Sequence, residues 1–375
     1  FGGENAGDGP ANYEYNDYYT TGSFGRIEAD DVQIVQNSQL VVTSSLQLPV
    51  FASNSGIVSS SAGQMWFNST TRKLNFTMDV NSWSATDDMN VARAYMGMAG
   101  TQNAAIGVGG DTPSPATITD ATELYDGSAW SFSESHDICT NRLVFAQVVG
   151  TQNSALAIGG SSEDGNTYFN ETEAFNGSTW TEVNDTNLTR RLSMASGTQN
   201  AAFIATGITD TPSVALTQVT EEWNGTNWTS VGNTVATKAF GSSGGTQNAG
   251  IIFGGSVDAN KANAHGTTET YDGTSWTERN DMNVSRQSVG GSGTQNAAVV
   301  FGGQDNSSNT YHCTEEWNGT SWSVVNALPT GQRNADGAGS QAAAITAGGS
   351  TNAVLDAAHE YNGSQLRPDT TSGVN

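Results

Sequence analysis

The sequence predicts an all-β fold assembled from six repeated four-stranded units, and three observations lead there. The tetrapeptide Gly-Thr-Gln-Asn begins at Gly100, Gly150, Gly197, Gly245 and Gly293, and a related Gly-Ser-Gln-Ala begins at Gly339. The steps between them are 50, 47, 48, 48 and 46 residues. A Trp after a Gly-containing turn keeps the same beat at Trp130, Trp180, Trp228, Trp276 and Trp322. The composition agrees: Gly is 44 of 375 residues while only 13% are charged, which suits many short strands joined by tight turns. Two markers in phase, one over six copies and the other over five, identify a repeat architecture.

Each unit reads as four strands. The first follows a basic residue: Arg93, Arg142, Arg190 or Arg191, Lys238, Arg286 and Arg333. Gly-Thr-Gln-Asn then turns the chain, because Gly and Asn tolerate the positive φ of hairpin turns. The second strand is a short apolar run ending mostly in Gly-Gly, as in Ile251-Ile252-Phe253-Gly254-Gly255. A variable polar loop leads to the third strand, which carries Glu123, Glu173, Glu221, Glu269 or Glu315 and then an aromatic residue. An Asn-Gly or Asp-Gly turn, a strong hairpin signal, leads to the fourth strand and its Trp.

An apolar strand ending in Gly-Gly, an aromatic residue further on and a Trp about five residues later resemble the kelch motif. The resemblance covers residues 84–365 and implies a β-propeller with one four-stranded blade per repeat: six blades, with seven as the alternative. Two copies depart from the motif. Gly-Gly is reduced to Thr206-Gly207 in the third, and no Trp follows Asn362-Gly363 in the sixth. Trp83, in Asn81-Ser82-Trp83, lies before the first full repeat like a fourth-strand segment, and is expected to supply the outer strand of the sixth blade. Such closure removes exposed sheet edges.

Four segments follow. Residues 1–17 resemble the end of an upstream repeat, through Phe1-Gly2-Gly3 and Tyr15-Asn16-Asp17; Phe1 suggests a fragment or processed chain. Residues 18–63 alternate apolar and polar (Val32, Ile34; Leu40, Val42; Leu46, Leu48, Val50) as an extended β connector. Residues 64–365 form the propeller, opened by a hairpin from Met65-Trp66-Phe67 to Leu74–Met78. Residues 366–375 are a tail. The Gly-Thr-Gln-Asn-Ala-Ala and Glu-Glu-Trp-Asn-Gly-Thr-Ser-Trp runs, Phe24–Asp30 and Gly63–Asn68 are similar to segments of kelch-like tail-fibre and other virion proteins of marine bacteriophages. That resemblance implies a homotrimeric fibre or spike in the virion that meets other virion proteins and a host-surface glycan or protein.

The charge bounds the partners. Lys+Arg number 13 against 37 Asp+Glu, a formal net charge of −24, which argues against a nucleic-acid or anionic-membrane surface. No run reaches the roughly 18 apolar residues of a membrane span, and no signal peptide is evident. Cys139 and Cys313 occupy non-equivalent repeat positions and read as free thiols. No cofactor or metal is expected, because His136, His265, His312 and His359 lack ligand spacing. A glycan-active hydrolase or oxidase on this fold would need tuned carboxylates or a metal at the channel mouth. No such set stands out, so a non-enzymatic module is expected. A secreted bacterial adhesin is a third class.

The scaffold turns barely vary among copies, while the loops between strands two and three differ at 111–121, 161–171, 208–219, 256–267, 304–313 and 350–357. Constant turns and diversified loops on opposite faces are expected of a recognition surface on a rigid frame. The loop residues Asp111, Glu163, Asp164, Asp210, Asp258, His265, Asp305 and His312 are the candidate ligand contacts. The repeated basic residues and glutamates are expected to form ion pairs that set register, and Trp83 and the five repeat Trp residues to be structural.

Overall fold

The computed structural model describes residues 50–51, 65–68, 73–76, 82–113, 119–132, 137–138, 145–162, 165–210, 213–259, 261 and 263–363. The expectations for residues 1–49, for Arg142, Glu163 and Asp164, and for the tail fall outside them. Six four-stranded antiparallel sheets form a six-bladed β-propeller. Blade 1 contains Gly97–Thr101, Ala104–Val108, Thr122–Tyr125 and Trp130–Phe132. Blades 2 to 5 repeat that order, from Gln147–Thr151 to Trp322–Val325. Blade 6 takes Asp336–Ser340, Ala343–Ala347 and Ala358–Asn362 from the end of the chain and its outer strand, Ser82–Ala85, from the start. There Trp83 sits opposite Tyr361. Separately, Met65–Asn68 pairs antiparallel with Lys73–Phe76, and Val50–Phe51 adds in parallel.

Strand composition follows position in the blade. The six inner strands surround the axis, where room is least, and all but Gln147–Thr151 of blade 2 are rich in Gly, Ala and Ser. A Cβ on Gly244 would lie 2.9 Å from the Gly293 carbonyl oxygen of the next blade. Second strands such as Ala297–Phe301 are buried on both faces and read as continuous apolar runs. The apolar side chains fill the gaps between blades. Phe301 and Val299 of blade 5 meet Tyr361, Ala344 and Trp83 of blade 6, and Met96 and Trp130 of blade 1 meet Ile345 and Ala358. Each large side chain buried there contributes about 1.5–3 kcal/mol.

Polar residues of the repeat act as blade-to-blade joints. The tetrapeptide Gln reaches the preceding blade and donates from Nε2 to two carbonyls. Gln295 bonds the Gly250 and Tyr271 oxygens at 3.2 and 2.6 Å, and Gln102 bonds those of Ala344 and Tyr361 across the closure. All six copies do this, Gln152, Gln199, Gln247 and Gln341 included. The outer-strand Trp indole N–H donates to a third-strand Thr of the preceding blade, as Trp276 does to Thr220 at 2.9 Å and Trp83 to Thr314 at 2.9 Å. Trp180, Trp228 and Trp322 do the same. The buried Trp130 indole N–H has no such partner, because blade 6 places Ala358 where the others place Thr.

The two hairpin turns of a blade share one face. A Cβ on Gly127, in the strand three–four turn, would meet Asn103 of the strand one–two turn at 3.3–3.4 Å. In the former, Asp126 Oδ1 accepts the N–H groups of Ser128 and Ala129, and Asn224 and Asp272 close their turns likewise. In the latter, Gly takes positive φ (107° at Gly100), but Asn103 and its equivalents do not. The sequence-based expectation of a left-handed Asn is corrected: of the two, only the Gly takes a positive φ.

Candidate functional site

The repeated charges lie inside the blades. Arg93–Glu123 and Lys238–Glu269 are 2.8 Å apart, Arg286–Glu315 is 3.1 Å, and Arg190 contacts Glu221; their side chains are no more than 1% exposed. The three guanidinium groups also donate to main-chain carbonyls, as Arg286 does to Gly302 and Cys313 at 2.8 and 2.7 Å. The Glu carboxylates accept backbone N–H groups of the incoming connection, including Asn90, Asn187, Val235 and Asn283. Each pair thus clamps the connection from one blade onto the next. Burial lowers the pKa of Arg93, Arg190, Lys238 and Arg286 below the usual values, against the pull of the partner Glu.

Arg333 does not belong to this set, which corrects the sequence reading. Gln332 occupies the equivalent buried position and donates to Thr346 Oγ1 at 3.0 Å. The physical reason is that blade 6 has His359 where the other blades have Glu, so a buried cation there would lack a carboxylate. Arg333 turns instead to the variable-loop face, donating to Gln304 Oε1 at 2.6 Å and the Ser308 carbonyl at 3.2 Å.

On that face the loops between strands two and three differ in build. Blade 2 extends its strands to Ser154–Ser161 and Tyr168–Phe175, and blade 3 forms a two-stranded sheet from Ile208–Thr209 and Ala215–Leu216. Most candidate contacts serve their own loops. Asp305 Oδ1 accepts the N–H groups of Ser307 and Asn309, and Asp210 accepts the Thr189 hydroxyl at 2.8 Å. Asp111 exchanges main-chain bonds with Ala94, the His265 N–H bonds Gly255, and the Asp258 carbonyl accepts the Lys261 N–H. His312 is exposed, and its carbonyl accepts the Leu328 N–H. Among the described residues these side chains form no group able to hold a metal ion.

The channel mouth on this face is built differently. Tyr95, Phe145, Leu192, Phe240, Ser288 and Asn334 occupy one equivalent position in the six blades, all with left-handed φ of 55–65°. Each N–H donates to the carbonyl of its counterpart in the preceding blade, at 2.7–3.4 Å, and Tyr95 closes the ring by bonding Asn334. A left-handed residue costs roughly 1–2 kcal/mol, offset here by a hydrogen bond and a closed ring. The ring rims a channel cavity of about 230 Å³. Tyr95 and Phe145 meet edge to face with centroids 4.4 Å apart. Arg191 lies over the rings of Phe145 and Tyr168 at 5.4 and 4.6 Å, and Lys261 over those of Tyr95 and Phe240 at 5.4 and 4.5 Å. Burial, then Arg333 and Arg191, push the Lys261 pKa down to about 8.

The repeat pattern does not reveal this cluster: Arg191 and Arg333 share one repeat position, held by Ala94, Ala239 and Gln287 in other blades, and Lys261 comes from a variable loop. The one signal in the sequence was the scarcity of basic residues. No protein-family profile and no curated protein matches the chain. No helix of the described residues is long and apolar enough to cross a membrane.

Proposed function

We propose that this propeller is a non-enzymatic recognition module of a bacteriophage tail fibre or spike, whose variable-loop face contacts a glycan or protein on the host surface. One observation carries the reading. The invariant residues of the repeat serve as blade joints or turn formers, whereas the loops on the opposite face differ in sequence and build. Such division is what recognition on a rigid frame requires. The kelch-like repeat and the resemblance of its runs to phage fibre proteins supply the context: a virion protein, homotrimeric in the fibre and in contact with other virion proteins. The net charge of −24 disfavours nucleic acid as partner.

The test is adsorption of the purified protein to candidate host cells, before and after surface polysaccharide is stripped. The reading predicts saturable adsorption that is lost on stripping, and lost when the 161–171 and 256–267 loops are exchanged in a protein that still folds. Adsorption unchanged by loop exchange overturns it. Release of sugars from the polysaccharide would replace it with a glycan-active enzyme.

A further inference from the structure

Blade 6 lacks several joints that other blades keep. No turn joins its outer strand, Ser82–Ala85, to its third strand, Ala358–Asn362, whereas in blades 1 to 5 a tight turn makes this link, as between Tyr125 and Trp130. Four residue pairs hold the strand, from Asn362–Ser82 to His359–Ala85. Trp83 bonds Thr314 and packs on Phe301 and Tyr361, with ring centroids 5.0 Å away in both cases. It is only half-buried, where the five repeat Trp residues are at most 7% exposed. On the blade 1 side, the Trp130 indole N–H has no partner.

The clamp found inside blades 1, 3, 4 and 5 is missing as well. Gln332 and His359 replace its basic residue and its Glu. Pro329, which has no N–H, stands where Asn90, Asn187, Val235 and Asn283 offer theirs. His359 lies beside the outer strand, opposite Ala85. Its Nδ1 is buried and has no hydrogen-bond partner among the described residues. Burial pushes its pKa below the usual value, against the attraction of Asp88 on the connection that follows the strand.

The other charged groups on the surrounding elements are engaged elsewhere or open to water. Asp87 and Asp356 are exposed, Arg93 pairs with Glu123, and Glu360 accepts the Tyr125 hydroxyl at 2.7 Å. Asp336, on the inner strand, accepts the Met98 and Gly337 N–H groups. A neutral imidazole therefore fits the closed blade and a charged one does not.

We infer that Ser82–Ala85 is a releasable strap: protonation of His359 in acid loosens it from blade 6 and bares the edge of Ala358–Asn362, while blades 1 to 5 stay closed. The device is independent of the recognition reading. Linkage fixes its sign. A histidine held neutral in the closed state supports closure fully above its ordinary pKa of about 6.5, and that support is lost as pH falls below it. Asp336 has the opposite sign, since acid neutralises it, so the inner strand is steadied while the strap loosens.

The experiment is hydrogen exchange on the whole chain, read as protection factors that already allow for the pH dependence of free amides. Between about pH 7.5 and about pH 5, protection of the strap falls at least about fivefold, while that of Trp322–Val325, the outer strand of blade 5, does not. His359→Gln, which cannot titrate, keeps the protection seen at the higher pH and abolishes the fall. An equal fall in both strands would report unfolding of the whole propeller and overturn the strap. Strap protection that is flat with pH, or that falls as much in His359→Gln as in the parent, overturns the inference too.

Discussion

The two faces of the propeller use the same amino-acid types to different ends. On the constant-turn face, polar residues are spent between blades: each tetrapeptide Gln bonds two carbonyls of its neighbour. Inside blades 1, 3, 4 and 5, buried Arg–Glu or Lys–Glu pairs hold the incoming connection. On the variable-loop face, Arg191 and Lys261 contact aromatic rings and, among the described residues, pair with no carboxylate. Equivalence across repeats therefore marks a structural duty, and its absence marks the surface free to diversify. The contrast predicts that substitutions in the joints change stability, whereas those at the mouth change binding alone.

The largest effect is expected at a buried pair. Arg286→Met leaves Glu315 charged and unpaired in the interior, a loss of about 3–5 kcal/mol in urea unfolding. Lys261→Gln, at the mouth, should move stability by no more than about 0.5 kcal/mol. Equal losses would erase the distinction between the faces.

Asp336 in the inner strand of blade 6 gives the next effect. Burial raises its pKa from 3.8 to about 6, against hydrogen bonds from the Met98 and Gly337 N–H groups. A carboxyl raised in the folded state stabilises it most below pH 3.8, and that contribution is lost as pH climbs through 6. Asp336→Asn keeps only one acceptor for the Met98 and Gly337 N–H groups, so it should fall below the parent near pH 3.5 and gain on it by about 2–3 kcal/mol by pH 7.5. A constant difference across that window would show that Asp336 ionises freely.

Smaller effects belong to single joints. Gln295→Ala removes two hydrogen bonds to blade 4 and should cost about 2 kcal/mol, while leaving adsorption to host cells unchanged. Ala358→Thr restores to blade 6 the hydroxyl that the other blades offer their neighbour's Trp, and should add about 1 kcal/mol by pairing the Trp130 indole N–H. No gain would mean that the space beside Trp130 does not admit the hydroxyl.

These joints also show what sequence could deliver. Repeat pitch and turn chemistry specify six four-stranded units. The missing Trp after Asn362-Gly363 marks the sixth as incomplete, and the strand that completes its sheet carries Trp83. The Gln latch was hidden because Gln in a tight turn looks like turn chemistry. Its reach matters only once a second blade stands beside it. The clue was that Gly-Ser-Gln-Ala alters Thr and Asn but keeps Gln341. The left-handed ring was unreadable, since Tyr95, Phe145, Leu192, Phe240, Ser288 and Asn334 share a backbone conformation and no side-chain type. The cation cluster joins one repeat position, Arg191 and Arg333, to a variable-loop lysine, and aligning copies set Arg333 among the clamps where Gln332 belongs.

The most direct test measures stability and adsorption together on two variants, Gln295→Ala and the exchange of the 161–171 and 256–267 loops, using host cells with intact surface polysaccharide. The account predicts a lower unfolding midpoint with full adsorption for Gln295→Ala, and an unchanged midpoint with at least tenfold weaker adsorption for the loop exchange. A loop-exchanged protein that adsorbs like the parent, or a Gln295→Ala protein that unfolds like it, would contradict the division of labour between the two faces.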